Sequence, residues 1–330
     1  MRRSEAEKAE FRKNLSVWFL ANGRELPWRR SRDFYSVAVA EFMLQQTTVA
    51  AVIPYYLRWM ERFPTVEVLA GATEAEVMEM WQGLGYYARG RNLLKACREV
   101  VSRYGGRFPE DVEGLRALPG FGKYTAGAVA AFAGDLPVEV IDVNIARVLA
   151  RLGNVTLPVD SAEGRRMLSE EFGCWAPGWS CGGREFVSAL MDLGALVCRP
   201  REPMCEECPV RKFCRCEEPG RLPVKRGGRP WLEVRDCRGV VCRGGRVGVR
   251  YSEGPWWKGL WLLPESRGGD LLHVEKFTVT RHRVVMEVVR GGVKVRGCHF
   301  FDLRDLPPMP APHQRAIARV AERMDSVRDD

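Results

Sequence analysis

Four thiols fall within 17 residues, spaced Cys198-x6-Cys205-x2-Cys208-x5-Cys214, with Arg199, Arg201, Arg211 and Lys212 among them. Cysteines this dense, in a chain whose first residues carry no secretory signal, point to metal rather than to disulfides. Structural zinc usually takes two close Cys or His pairs a dozen or more residues apart. Only one C-x2-C pair is present here, and four thiolates also suit a [4Fe-4S] cluster. Spacing alone leaves both metals open.

All four histidines (273, 282, 299 and 313) come late. Chemistry in the first 270 residues must therefore run on carboxylates, hydroxyls, amines or metal. Glu41, Gln45 and Thr48 form a polar line at i, i+4, i+7 in a segment that is otherwise apolar. Such a stripe is either a solvated helix face or the wall of a cleft, where burial would let a glutamate act as a general acid. Asp142, just before an apolar helical face (Ile145, Val148, Leu149, Leu152), is either a helix cap or a carboxylate held to stabilise a cation. Two such carboxylates supply the logic of glycosidic cleavage: one protonates the leaving group, the other stabilises the oxocarbenium-like sugar.

Leu118-Pro119-Gly120-Phe121-Gly122-Lys123-Tyr124 opens onto a small-residue helix. A glycine turn at a helix start leaves backbone N–H groups free for a phosphate, although a plain interhelical turn reads the same way. Lys123 would add sequence-blind attraction to a DNA backbone. Gly83-Leu84-Gly85-Tyr86-Tyr87-Ala88-Arg89 reads as a tight loop presenting aromatics and a cation. Its tyrosines either wedge into a base stack or pack in the core.

The elements that must position these residues are helical at first. Ser4 can cap a helix carrying Phe11, Leu15, Trp18 and Phe19, and Asn22-Gly23 ends it. A helical pattern covers residues 36–60, with Pro54 marking a break. Further helices are expected over 65–80, 90–104, 111–117, 124–133, 143–152, 161–172 and 184–197. Residues 217–230, rich in Pro, Gly and like charge, read as a linker. Beyond it, short strand-like runs at 239–242, 247–251, 261–263, 277–280 and 284–289 precede a closing helix at 312–324. The expected organisation is an all-α domain over 1–216, the linker, and a smaller α+β domain over 231–330.

The 330 residues carry a net charge of +9. Residues 1–214 hold 28 basic and 27 acidic side chains, so the surplus lies in the linker and the C-terminal part. A nucleic-acid partner is consistent with that balance. No stretch approaches the roughly 18 apolar residues of a membrane span, so a cytoplasmic protein is expected. The seven cysteines outside the cluster (97, 174, 181, 216, 237, 242 and 298) do not form a disulfide pattern.

Together these motifs resemble the helix-hairpin-helix DNA glycosylases of the endonuclease III type. The closest likeness is to the branch that removes adenine mispaired with 8-oxoguanine. The match runs from about residue 24 to 214 and more loosely to 320. The resemblance implies a [4Fe-4S] cluster on Cys198, Cys205, Cys208 and Cys214, and a monomer acting on mismatched duplex DNA. It implies that Glu41, in Glu41-Phe42-Met43-Leu44-Gln45-Gln46-Thr47, protonates the leaving base, and that Asp142 stabilises the sugar cation beside Asn144. Trp28 and Arg29 match residues lining the base pocket, and Gln46 and Tyr86 match residues that probe the duplex. Tyr124 stands where the bifunctional branch carries a nucleophilic lysine. A phenol cannot form a Schiff base, so a monofunctional enzyme is expected. Residues 256–265 look like the start of a Nudix-like domain that reads the oxidised guanine, without a Nudix hydrolase box.

Three departures stand out. Val143 replaces the glycine of Asp-Gly-Asn. Val187-Ser188 replaces an Asn-Gln or Asn-Glu pair that helps read adenine. Val279-Thr280-Arg281 replaces a Phe-Ser-His segment that contacts 8-oxoguanine, Thr280 keeping the hydroxyl. Removal of thymine or uracil opposite guanine, and a catalytically silent DNA-binding protein, are the competing expectations.

Overall fold

The structure, a computed structural model, describes residues 3–176, 182–228 and 230–325; Cys181 and Arg229 of the sequence analysis fall outside them. The chain forms two compact units, one of Met1–Gly71 with Asn92–Gly227 and the other of Ala72–Arg91 with Gly228–Asp330.

The first unit is helical. Helix α1 (Glu5–Asn22) begins at a capping box in which Ser4 and Glu7 satisfy each other's backbone N–H. Helices α2 (Phe34–Leu44) and α3 (Val49–Arg62) replace the single pattern expected over 36–60. The break falls at Gln45–Thr48 rather than at Pro54. Gln46 has φ 58°, which no right-handed helix accepts, and the Thr48 side chain caps α3. Pro54 sits inside α3.

The 65–80 pattern likewise divides into α4 (Val66–Gly71) and α5 (Glu74–Trp81), because Thr73 caps the second piece, which belongs to the second unit. Helix α6 (Ala88–Tyr104) follows, then α7 (Val112–Ala117), α8 (Lys123–Phe132), α9 (Val143–Leu152), α10 (Ala162–Trp175) and α11 (Gly183–Asp192). A wide helical turn at Leu193–Val197 leads from α11 to Cys198.

The cysteine loop is held by aromatic packing. Phe213 meets Phe11 and Trp175 edge-on at 5.6 and 5.7 Å, and those two rings stack at 4.1 Å. Pairs of this geometry contribute about 1 kcal/mol each beyond area burial, so α1 and α10 anchor the loop. The segment after it is tied down as well. Arg215 N–H donates to Leu152 O (3.1 Å), Val159 N–H to Val224 O (2.9 Å) and Arg226 N–H to the Asp160 carboxylate (2.9 Å).

The second unit carries the strands. They are β1 (Leu232–Val240), β2 (Cys242–Arg243), β3 (Arg246–Tyr251), β4 (Trp261–Leu262), β5 (Asp270–Val279), β6 (His282–Arg290) and β7 (His299–Asp302), followed by α12 (Ala311–Asp325). One sheet has the order β1-β6-β5, with β1 parallel to β6; in the other, β3 pairs β2, β4 and β7. Its core joins Val247, Val249, Leu263, Met286 and Val288 to Ile317 and Val320 of α12. The run expected at 239–242 is split between the end of β1 and the short β2, and β7 is an addition to the expected strands.

Candidate active site

A cavity of about 790 Å3 opens in the helical unit. Glu41, Gln45 and Thr48 all line it, so the polar stripe is the wall of a cleft. Trp28, Arg29, Gln46, Tyr124, Asp142 and Asn144 line it too. These nine residues thus meet in one hollow, brought from the turn before α2, from α2 itself, the α2–α3 turn, α8 and the start of α9.

Glu41 is 5 % exposed in a helix with apolar residues on every side. Burial pushes its carboxyl up to about 7, helped by the charge of Asp142 and opposed by the Tyr124 hydroxyl and Arg29. Glu41 therefore carries a proton in neutral solution for much of the time. The Tyr124 hydroxyl donates to it, and burial first, then the two carboxylates, hold that phenol well above its usual range.

Asp142 is both a cap and a cavity carboxylate. Its Oδ1 accepts from the N–H groups of Asn144 (2.9 Å) and Ile145 (2.7 Å), and its Oδ2 from Asn144 Nδ2 (2.9 Å). Three donors fix the group, and Oδ2 keeps a lone pair for a second partner. Val143 next to it is 69 % exposed at the cavity wall.

The hairpin glycines play different parts. At Gly120, φ is 81°, and a Cβ would lie 2.7 Å from Asn92 Cβ and 2.9 Å from Phe42. At Gly122, the uncapped start of α8, a Cβ would meet nothing within 4 Å. The first glycine is demanded by the fold; the second leaves open room above free N–H groups, where a phosphate can approach. Lys123 is exposed and pairs with Glu139 at 3.1 Å. None of these three lines the cavity.

Tyr86 and Thr280 belong to the other unit. Tyr86 is 45 % exposed with φ 48°, as a presented residue should be. Its neighbours are not presented. Tyr87 is buried with its hydroxyl near Met309 O (3.3 Å), and the buried Arg89 donates to the carbonyls of Leu84 and Gly85. Thr280, exposed at φ 52°, forms with Arg281 the turn between β5 and β6, and its hydroxyl lies 3.2 Å from His282 Nδ1.

The four clustered thiols are near neighbours. Burial pushes Cys208 up to about 11, and the sulfurs of Cys198, Cys214 and Cys205 add to it. Among the described residues no three His, Cys, Asp or Glu side chains are arranged to hold a single metal ion. Arg151, 2 % exposed, donates to Cys198 Sγ (3.3 Å) and to the carbonyls of Arg199 (2.8 Å), Pro200 (3.0 Å) and Leu222 (3.1 Å). None of its acceptors is a carboxylate.

Two residues of consequence were invisible to the motifs. Asp192, fully buried at the end of α11, binds both Arg29 and Arg24. Arg184 lines the cavity and donates to the carbonyls of Ser31 (2.9 Å) and Phe132 (3.0 Å). Spacing carries no signal for partners some 160 positions apart. Val187 and Ser188, by contrast, are buried and absent from the cavity wall.

The helical unit is a base-excision repair domain by family. Residues 39–171 match the model of the HhH-GPD superfamily base excision DNA repair proteins. A thermostable thymine-DNA glycosylase superposes with a TM-score of 0.55 at 27 % identity, covering 64 % of this chain and 96 % of that one. An endonuclease III in a trapped covalent DNA intermediate gives 0.53 at 23 % identity, covering 65 % and 97 %, and shows likeness of fold.

Adenine DNA glycosylase of Mycolicibacterium smegmatis is 40 % identical over 207 residues, which are 62 % of this chain and 69 % of that protein. The chain belongs to the adenine DNA glycosylase family. The rat protein of that name is 42 % identical over 248 residues, 70 % of this chain and 46 % of its own length. The chain spans under half the length of the mammalian relatives it matches.

Proposed function

We propose that this protein hydrolyses the N-glycosidic bond of adenine mispaired with 8-oxoguanine or guanine in duplex DNA. The observation that carries the reading is one cavity holding a buried, proton-bearing Glu41 and a triply bonded Asp142. Its volume suits a base extruded from the stack. Glu41 gives its proton to the departing base, and Asp142 stabilises the sugar cation that forms. Water completes the hydrolysis. Tyr124 steadies Glu41 through its hydroxyl and offers no amine for strand cleavage. Gly120, Gly122 and Lys123 grip the DNA backbone, while Gln45, Gln46 and Tyr86 act beside the extruded base.

Residues 198–214 would hold a [4Fe-4S] cluster on the four thiols. The donor set fits: a buried Arg151 without a carboxylate partner needs negative charge beside it, which ligated thiolates supply. When bound, the cluster contributes charge and a covalent brace.

In residues 231–330, joined to 1–216 by the 217–230 linker, the β5–β6 turn suits reading of the oxidised guanine. There Thr280, His282 and the Trp256 ring at 4.9 Å combine hydroxyl, imidazole and stacking face in a Nudix-like setting. The protein would work as a cytoplasmic monomer.

The likeness to a thymine-DNA glycosylase, with Val143 at an altered position on the cavity wall, supports thymine or uracil opposite guanine as the second reading. Single-turnover assays on duplexes with A opposite 8-oxoguanine, T opposite G and U opposite G separate the two. Release of adenine without strand nicking is expected. Release of thymine or uracil alone would replace the first reading, and nicking without alkali or heat would contradict the role given to Tyr124.

A further inference from the structure

Arg29 poses a problem for the general acid. Its guanidinium shares the cavity with Glu41, and a free guanidinium facing a buried carboxyl would form an ion pair with it and strip its proton. Asp192 occupies Arg29 instead. The arrangement is bidentate, Nη1 to Oδ2 at 2.7 Å and Nη2 to Oδ1 at 3.0 Å. Arg24 binds the same carboxylate through its backbone N–H (2.8 Å), Nε (2.7 Å) and Nη2 (2.5 Å). Five donors from two arginines thus converge on a carboxylate that is fully buried.

We propose that Asp192 is a positioning residue for the general acid: by orienting and neutralising Arg29, it keeps that guanidinium from taking Glu41 as its partner.

The inference rests on the function proposed above and adds a residue to it. Asp192 is anchored where it can do this, since α11 ends on it and its neighbour Met191 reaches the cavity wall. Burial alone would raise the Asp192 carboxyl; Arg29 and Arg24 outweigh that and hold it low, so it keeps its charge. The charge balance is then specific. Two guanidiniums and one carboxylate leave a single positive charge spread over Arg24 and Arg29. The other groups facing Glu41 are Asp142 from the start of α9 and Tyr124 from α8, and Arg184 of α11 also lines the cavity. Removing the Asp192 charge leaves two uncompensated cations, which favours ionised Glu41. Removing Arg24 leaves Asp192 to Arg29 alone, which favours protonated Glu41.

The test is the pH dependence of adenine release in single turnover on an A:8-oxoguanine duplex, for the intact chain and for Asp192→Asn, Asp192→Glu and Arg24→Gln. Activity of the intact chain should fall on the alkaline side as Glu41 loses its proton near 7. Asp192→Asn should move that limb down by about one pH unit or more, and Arg24→Gln should move it up. Asp192→Glu, which keeps the charge, should hold the limb closer to the wild-type position than Asn does. A merely structural role would lower the amplitude and leave the limb in place, and that result, or a downward shift in Arg24→Gln, overturns the proposal. Should Asp192→Asn fail to fold, the upward shift in Arg24→Gln decides alone. An intact chain that releases no adenine refutes the excision reading itself, whereas an active chain with an unmoved limb refutes only the part given to Asp192.

Discussion

Each of the two units buries an acid–base side chain whose proton affinity is strongly displaced, Glu41 in one and His313 in the other, and their surroundings differ. In the helical unit, burial drives Glu41 up to about 7. In the sheet unit, burial drives His313 down to about 3. Glu41 faces a cavity, a second carboxylate and a hydroxyl. His313 is fully buried, accepts from Leu263 N–H through Nδ1 (3.1 Å), lies edge-on to Trp257 at 5.0 Å and takes no part in lining the cavity around Glu41. Displacement marks a functional candidate only together with space for a substrate and a second group to act with it. By that criterion Glu41 is the candidate for chemistry and His313 is not.

The largest effect that would sharpen the contrast is on Glu41. Glu41→Gln should slow base release by about a hundred- to ten-thousandfold, the usual range for a lost general acid. The same change should stabilise the fold at alkaline pH. In the folded chain Glu41 keeps its proton up to about 7, whereas the unfolded chain loses it near 4.5. Its favourable share of stability is therefore complete below pH 4.5 and gone above 7, where burial of the anion costs about 3 kcal/mol. Urea denaturation at pH 5 and pH 8.5 should show Gln gaining over Glu only at the higher value. Equal curves at both would contradict the buried-acid description.

For His313 the dependence runs the other way. Its folded affinity lies below the unfolded 6.5, so its contribution holds above pH 6.5 and is lost as pH falls towards 3. Acidification from pH 7 to 4.5 should weaken the sheet unit by about 2 to 3 kcal/mol, seen as lower protection factors, relative to the intrinsic rate at each pH, for the amides of β3, β6 and α12. His313→Leu should flatten that dependence while costing about 1 to 3 kcal/mol through the orphaned Leu263 N–H. Glycosylase activity normalised to folded protein should not change.

A smaller pair of effects separates the hairpin glycines. Gly120→Ala meets both a positive φ and the Phe42 ring, and should cost about 1 to 3 kcal/mol of stability. Gly122→Ala meets nothing, so its melting temperature should barely move while affinity for undamaged duplex falls. A loss of stability at Gly122 as large as at Gly120 would erase the distinction.

Much of the helical unit is legible in the sequence because its signals are local. Ser4 and Asp142, read as caps, each cap the helix that follows them, whereas the Thr48 cap was hidden in a continuous helical pattern. The stripe Glu41-Gln45-Thr48 could be noticed because its surroundings are too apolar for an outer helix. What escaped notice depends on partners far away in the chain. Asp192 pairs with arginines 163 and 168 positions earlier. Residues Ala72–Arg91 group with the C-terminal strands, a long-range packing that periodicity cannot express. The burial of Tyr87 and Arg89 follows from that same packing, which is why the loop presents Tyr86 alone among them.

The account stands on the proposed role of Asp142 as the carboxylate that stabilises the sugar cation in the cavity it shares with Glu41. Single-turnover release of adenine by Asp142→Asn measures this most directly, since Asn can keep the cap to Asn144 and Ile145 through its carbonyl oxygen while losing the charge. A fall of about a thousandfold or more, with the melting temperature little changed, is the predicted result. Adenine release at an undiminished rate would remove Asp142 from the chemistry and leave it a helix cap.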